Sequence, residues 1–160
     1  MARIKQKIKT FLWYDREAEA AAKFYVSIFP NSKVLSVSRY NSALPDKKGM
    51  VMMCKFRLAG QEFLALNGGP EPKFTESVSL LVECETQAEI DKFWNKLSAG
   101  GSELPCGWLK DKFGLRWQIT PSRLLKLVQD PNDARASRAM QAMFSMKKII
   151  IADIERAVRG

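Results

Sequence analysis

No histidine occurs anywhere in this chain of 160 residues. That removes Ser-His-Asp and Cys-His relays, imidazole zinc ligands and the side chain whose ordinary pKa suits general-base work near neutrality. Three cysteines remain, Cys54, Cys84 and Cys106, widely spaced and with no CxxC pair. An odd, scattered set predicts free thiols in a reducing compartment rather than disulfides. Cys106 is the one candidate nucleophile, between Pro105 and Gly107 and four positions before Lys110, whose charge would lower its pKa if the two converge. No base accompanies it in sequence, so a small apolar packing role competes, and Cys54 and Cys84 on strand-like segments read as core. Neither GxGxxG nor GxxxxGK(S/T) is present. Gly68-Gly69 follows a strand-like run but is closed by Pro70 and leads into no helical pattern, so a dinucleotide or phosphate cradle is not expected there.

The remaining chemistry is a set of indoles and amides near strand ends. Trp13 lies in the first strand-like run, Trp108 and Trp117 flank a turn at 111–114, and Asn67 and Gln118 end or nearly end two further runs. Gathered on one concave sheet, these side chains form an aromatic box with two amide handles for a flat or apolar organic ligand. Taken singly, each tryptophan also suits a core. Asn67-Gly68-Gly69 and Cys106-Gly107-Trp108 add glycines that let a backbone approach a ligand closely. The expected ligand-binding set is therefore Trp13, Asn67, Gly68, Cys106, Trp108, Trp117 and Gln118.

Two copies of one local pattern must position them. Residues 10–14 read as a strand, and a helix follows with Asp15 at its N-cap and Ala18, Ala21, Ala22, Tyr25, Ile28 and Phe29 as its apolar stripe. Pro30-Asn31-Ser32 stops it. Strands are expected at 34–40, 50–58 and 61–67, with a hairpin at Ala59-Gly60 and a polar loop at 41–48. The second copy runs from a strand at 79–83 through a helix at 87–97 to strands at 103–110 and 115–120. Phe24-Tyr25 in one copy and Phe93-Trp94 in the other sit at matching offsets. After Pro121 the pattern turns helical: 122–128, a longer helix striped by Ala136, Ala139, Met140, Met143, Phe144 and Met146, and 152–158. Two repeats are too few for a solenoid, and a duplicated α+β module pairing around a pocket fits better.

The chain has the length of one domain, with 46% hydrophobic and 27% charged residues, ordinary for a soluble globular protein. No apolar run is long enough to span a membrane, and the N-terminus lacks the apolar core of a signal peptide, so a cytoplasmic location without membrane association is expected. The net charge of +9 is spread over Arg3, Lys5, Lys7 and Lys9 and over a C-terminal set from Arg135 to Arg159. Neither set interleaves aromatics or carries a nucleic-acid-binding motif, so solvated charge and no specific nucleic-acid partner is the reading.

Phe11-Leu12-Trp13-Tyr14-Asp15, Ala21-Ala22-Lys23-Phe24-Tyr25, Phe29-Pro30-Asn31-Ser32, the run from Phe63 to Pro70, Lys73-Phe74-Thr75, and Cys106-Gly107-Trp108 through Gly114 to Trp117-Gln118 resemble a known family. It is the PhnB-like, demethylubiquinone methyltransferase-like branch of the vicinal oxygen chelate superfamily, whose wider relatives include glyoxalase I, bleomycin-resistance proteins and extradiol dioxygenases. The resemblance extends over nearly the whole chain, including the methionine-rich helical tail. It implies an α+β fold of paired βαβββ modules forming a U-shaped mixed sheet, with a C-terminal helical extension. It also implies a homodimer and one domain over 1–160, with module one at 5–70, module two at 74–121 and helices at 122–160.

Metal-using relatives place ligands on the first and last strands of each module. By strand position these fall at Ile8 or Thr10, Ala65 or Asn67, Ser77 or Ser79, and Gln118. None is His, Asp or Glu, so no metal and no other cofactor is expected. The resemblance thus implies a glyoxalase/bleomycin-resistance-like protein that binds a small organic molecule in a metal-free aromatic cleft. The alternatives are a methyltransferase of the demethylubiquinone type, for which no nucleotide-binding glycine turn is found, and a metal-dependent lyase or dioxygenase, disfavoured by the missing ligands.

Overall fold

The computed structural model describes residues 6–160, so Arg3, Lys5 and the first residue of the expected 5–70 module lie outside the described residues. The chain divides into two compact units, Met1–Lys73 and Phe74–Gly160.

The first unit runs β1 (Thr10–Tyr14), α1 (Ala18–Ile28), β2 (Lys33–Arg39), β3 (Val51–Leu58) and β4 (Gln61–Asn67). Its sheet has the order β1-β4-β3-β2, with β1 parallel to β4 and the other pairs antiparallel. The stripe of Ala18, Ala21, Ala22, Tyr25 and Ile28 buries against one face, where alternate strand residues Leu12, Tyr14, Cys54, Phe56, Leu58, Phe63 and Ala65 are buried in turn. Phe56 stacks between Tyr25 and Phe63 at ring separations of 6.4 and 5.5 Å. The helix stop fastens the Ala59-Gly60 hairpin: the Gly60 amide donates to the Asn31 carbonyl at 3.2 Å and the Ala59 amide to Ser32 Oγ at 3.1 Å.

The second unit repeats the design with β5 (Leu80–Cys84), α2 (Gln87–Ser98), β6 (Ser102–Glu103), β7 (Trp108–Lys110) and β8 (Arg116–Pro121), in the order β5-β8-β7-β6. A capping box between Thr86 and Glu89 starts α2, which buries Ile90, Phe93, Trp94 and Leu97. The strand expected over 103–110 is split in two. Pro105 and a left-handed Cys106 (φ 62°) turn the chain between β6 and β7, where a strand would need extended backbone.

Asp111 closes the β7–β8 turn although its side chain is only 1% exposed. Its Oδ1 accepts from the Phe113 and Leu115 amides at 2.8 and 3.1 Å, and its Oδ2 from Trp117 Nε1 at 2.8 Å. A buried carboxylate survives when donors surround it, and this one has three.

Helices α3 (Ser122–Leu127), α4 (Asp133–Phe144) and α5 (Ile151–Arg159) complete the unit around a core of Leu124, Ala139, Ile149, Ile154 and Val158. Ala139 and Met143 of the expected stripe pack inward, whereas Met140 and Phe144 are exposed, the latter by 60%. The Cys106 and Gly107 amides donate to the carbonyls of Met146 and Lys147 at 2.8 and 2.7 Å, and Gln87 bonds both the Ile149 carbonyl and the Ile151 amide. No helix among the described residues is long and apolar enough to cross a membrane.

Replacing Asp111 by Ala removes the acceptor of the Phe113 and Leu115 amides and of the Trp117 indole. Urea unfolding should show a loss of about 3 kcal/mol or more relative to the parent protein, with Asp111→Asn losing less.

Candidate functional site

With α1 on one face of the first sheet, the other face is set by strand alternation. Three rows of registered residues cross it: Trp13–Leu66–Met53, then Phe11–Leu64–Lys55, then Lys9–Glu62–Arg57, Lys9 lying one alternation step before β1. The first row is apolar and the last is ionic. Glu62 lies 3.4 Å from Lys55 Nζ and 4.0 Å from Arg57, and its hydrogen bond from Lys9 holds its carboxyl below the usual carboxylate range, with Lys55 adding to the effect. One carboxylate thus answers three cations.

Trp13 is half-buried and held from below. Its Nε1 donates to the Gly69 carbonyl at 3.0 Å, and its ring lies so close to Gly68 that a Cβ there would sit 2.2 Å from Cζ2. Gly68 is therefore required by the indole, whereas the sequence suggested it for the close approach of a ligand. Asn67 faces the helix side, in register with Tyr14. Its Oδ1 accepts from the Ala18 amide at 2.8 Å and its Nδ2 donates to the Val51 carbonyl at 3.1 Å. Asp15 does not cap α1, and Glu17 at the N-cap makes no side-chain cap; the cap comes from the end of β4. Both ends of the Asn67 amide are thus engaged within the unit, where a ligand handle was expected.

The helix-free face of the second sheet carries Leu81–Gln118–Trp108 as one registered row and Arg116–Lys110 as the next. Gln118 Nε2 donates to Ser79 Oγ at 2.8 Å. Trp108 and Gln118, both half-buried, are thus direct cross-strand neighbours. Trp117 is not with them. One residue along β8 it points to the opposite face, 2% exposed and bonded to Asp111, which makes it a core residue and corrects its place in the aromatic box. Cys106 sits in the turn clamped to Met146, off the strands altogether. Cys54 and Cys84 are buried as expected, and burial pushes the Cys84 thiol up to about 12, helped by Glu89 and Glu85.

A cavity of about 580 Å³ also opens in the first unit, beside Tyr40, Asp46, Lys47, Met50, Val51 and Asn67. Tyr40 Oη donates to the Asn67 carbonyl at 2.6 Å, and Lys47 lies over the Tyr40 ring. Of the residues beside this cavity the sequence singled out Asn67 and passed over Tyr40, Asp46, Lys47, Met50 and Val51, as it passed over Phe11, Leu64, Leu66, Met53 and Lys55. Counting in twos from Trp13 recovers Phe11, but the others need the register.

Residues 6–120 match the model of the 3-demethylubiquinone-9 3-methyltransferase family. This chain belongs to that family. A PhnB protein of Bacillus cereus described under the same methyltransferase name is 40% identical, its match covering 73% of this chain and 100% of its own, with a TM-score of 0.67. A protein of Pseudomonas aeruginosa matches at 18% identity over 73% of this chain and 98% of its own, with a TM-score of 0.62. The fosfomycin resistance protein FosX of Listeria monocytogenes, solved with Mn(II) and sulfate, matches at 14% identity over 79% of this chain and 98% of its own, with a TM-score of 0.54. The fold is that of the vicinal oxygen chelate superfamily, an α+β architecture of two four-stranded mixed sheets with helices. No curated protein matches the sequence. The family match ends at residue 120, so α3, α4 and α5 follow it, which corrects the expectation that the resemblance spans the tail.

A divalent metal of the kind named for FosX does not fit the residues here. Thr10, Ala65 and Asn67, carried over by strand position, lie on the helix-covered face, where Thr10 registers with Phe63. On β1 and β4 the helix-free positions Phe11, Trp13, Leu64 and Leu66 offer no ligand for a hard cation, and the carboxylate on that face, Glu62, is taken up by Lys9, Lys55 and Arg57. Among the described residues no group of three or more His, Cys, Asp or Glu comes together.

Two measurements follow. Gly68→Ala must displace the Trp13 indole, so near-ultraviolet circular dichroism should change and stability should fall by about 1–3 kcal/mol. In the native protein a colorimetric thiol reagent should titrate one fast thiol, Cys106, with Cys54 and Cys84 reacting only after denaturation. Three fast thiols would contradict the burial of those two.

Proposed function

We propose that the protein binds a small organic molecule on the helix-free faces of its sheets, through aromatic contact and amide hydrogen bonding, without a metal ion. One observation carries this reading. In each unit the helix claims one face of the sheet, and the other presents a half-buried indole in register with apolar or amide partners: Trp13 with Leu66 and Met53, Trp108 with Gln118 and Leu81. An indole kept out of the core forgoes burial that would otherwise stabilise the fold, and flat apolar ligands are what such rings bind well.

The family name adds methyl transfer to demethylubiquinone. A nucleotide-like methyl donor is ordinarily held where a glycine turn joins a strand to a helix N-terminus. Here Gly68-Gly69-Pro70 follows β4, but the next element is strand β5. Sequestration or sensing of a ligand needs only the shaped face, so binding is the function the geometry supports best.

The test is a panel of planar aromatic compounds, charged and neutral, read by tryptophan fluorescence and melting temperature. A binding member should quench fluorescence and raise the melting temperature by mass action. Trp108→Ala should lose most of that affinity with little loss of stability. Trp117→Ala should instead lose about 3–5 kcal/mol of stability, as a core residue does. A panel in which no compound moves either signal would overturn the reading.

A further inference from the structure

The helix-free face of the first sheet changes character along its strands. The Trp13–Leu66–Met53 row is apolar, Phe11–Leu64–Lys55 is mixed, and Lys9–Glu62–Arg57 is ionic. Among the described residues the three cations share Glu62 as their ion-pair partner, which leaves a surplus of two positive charges. Arg57 reaches Glu62 at only 4.0 Å, and its buried Nε has no hydrogen-bond partner. A buried guanidinium nitrogen without an acceptor is costly, and an incoming oxyanion would relieve it.

The second sheet shows the same combination independently. Arg116 and Lys110 are directly opposed on its helix-free face, beside the row that holds Trp108. Like charges in that position destabilise a sheet. Glu76 approaches Arg116 at 3.5 Å from an exposed position, and Arg116 Nε too is buried without a partner.

Resting on the binding function proposed above, we infer that the ligand is an organic anion: an aromatic or apolar body with an acidic oxygen-rich head. The body lies against Trp13 or Trp108, and the head meets the neighbouring cations. The spacing suits this. Residues two apart on a strand are about 7 Å apart, so an aryl group over the Trp13 row brings a directly attached acid to the Lys55 row. A neutral planar ligand would leave the positive charge beside either indole unanswered.

The experiment compares 2-naphthalenesulfonate, charged at every working pH, with neutral 2-naphthalenemethanol, by calorimetry and fluorescence on the full chain. The sulfonate should bind at least about tenfold more tightly, the value of one charge-assisted hydrogen bond, and its affinity should fall as salt rises. Lys55→Gln or Lys110→Gln should weaken the sulfonate by about tenfold and leave the alcohol unchanged, and the variant that does so identifies the face. Where Lys55→Gln identifies the first sheet as the face, Glu62→Gln should tighten the sulfonate, because it frees the cations that Glu62 now occupies. Circular dichroism confirms that each variant is folded. Equal affinity for the two compounds, with all three substitutions silent, overturns the anion assignment and leaves the binding function standing. If neither compound binds while a neutral member of the wider planar panel does, the anion assignment falls and the binding function stands; if no member of that panel binds, both fall.

Discussion

A strand shows successive residues to opposite sides, and a helix laid on one side leaves no freedom in what the other side displays. That constraint governs both units. Once α1 covers Leu12, Tyr14, Cys54, Phe56, Phe63 and Ala65, the opposite face must show Phe11, Trp13, Leu64, Leu66, Met53 and Lys55. A slip of one residue in any strand would exchange core for surface along its whole length, so the register has to be pinned.

Two buried or half-buried polar side chains act as the pins. Asn67 closes the end of β4 onto the first amide of α1 and the Val51 carbonyl, tying helix, β3 and β4 to one point. Asp111 gathers the Phe113 and Leu115 amides and the Trp117 indole, which sets the β7–β8 turn and directs Trp117 into the core. The two helices are started differently as a result. The first is capped from a distant strand, and the second caps itself through Thr86 and Glu89. In each case polar chemistry that could have served a ligand is spent on geometry, and the surfaces left over are aromatic and cationic.

The helical extension lies beyond the part of the chain that matches the family, and its attachment explains a motif that reads as catalytic in sequence. Pro105-Cys106-Gly107 is a turn whose amides are held by the carbonyls of Met146 and Lys147. Gly107 has no room for a side chain there, since a Cβ would approach the Ile119 carbonyl at 2.9 Å and Ile149 Cγ1 at 3.1 Å. Glycine stands at 107 for its left-handed backbone (φ 79°) and for close packing.

Periodicity, breakers and composition determined a great deal unaided. The bounds of β1 and β4, the repeat of a strand-helix-strand design, the hairpin at Ala59-Gly60 and the three tail helices were all legible, because each depends on residues close in sequence. Tertiary structure alone decided which face each side chain joins and which partner takes each polar group. Trp117 and Gln118 are adjacent in sequence, yet one is core and the other faces away from it. Asn67 looks free in sequence because its partners, Ala18 and Val51, lie far along the chain. Such pairings follow from register and long-range packing, and no local pattern encodes the distance between residues that the fold brings together.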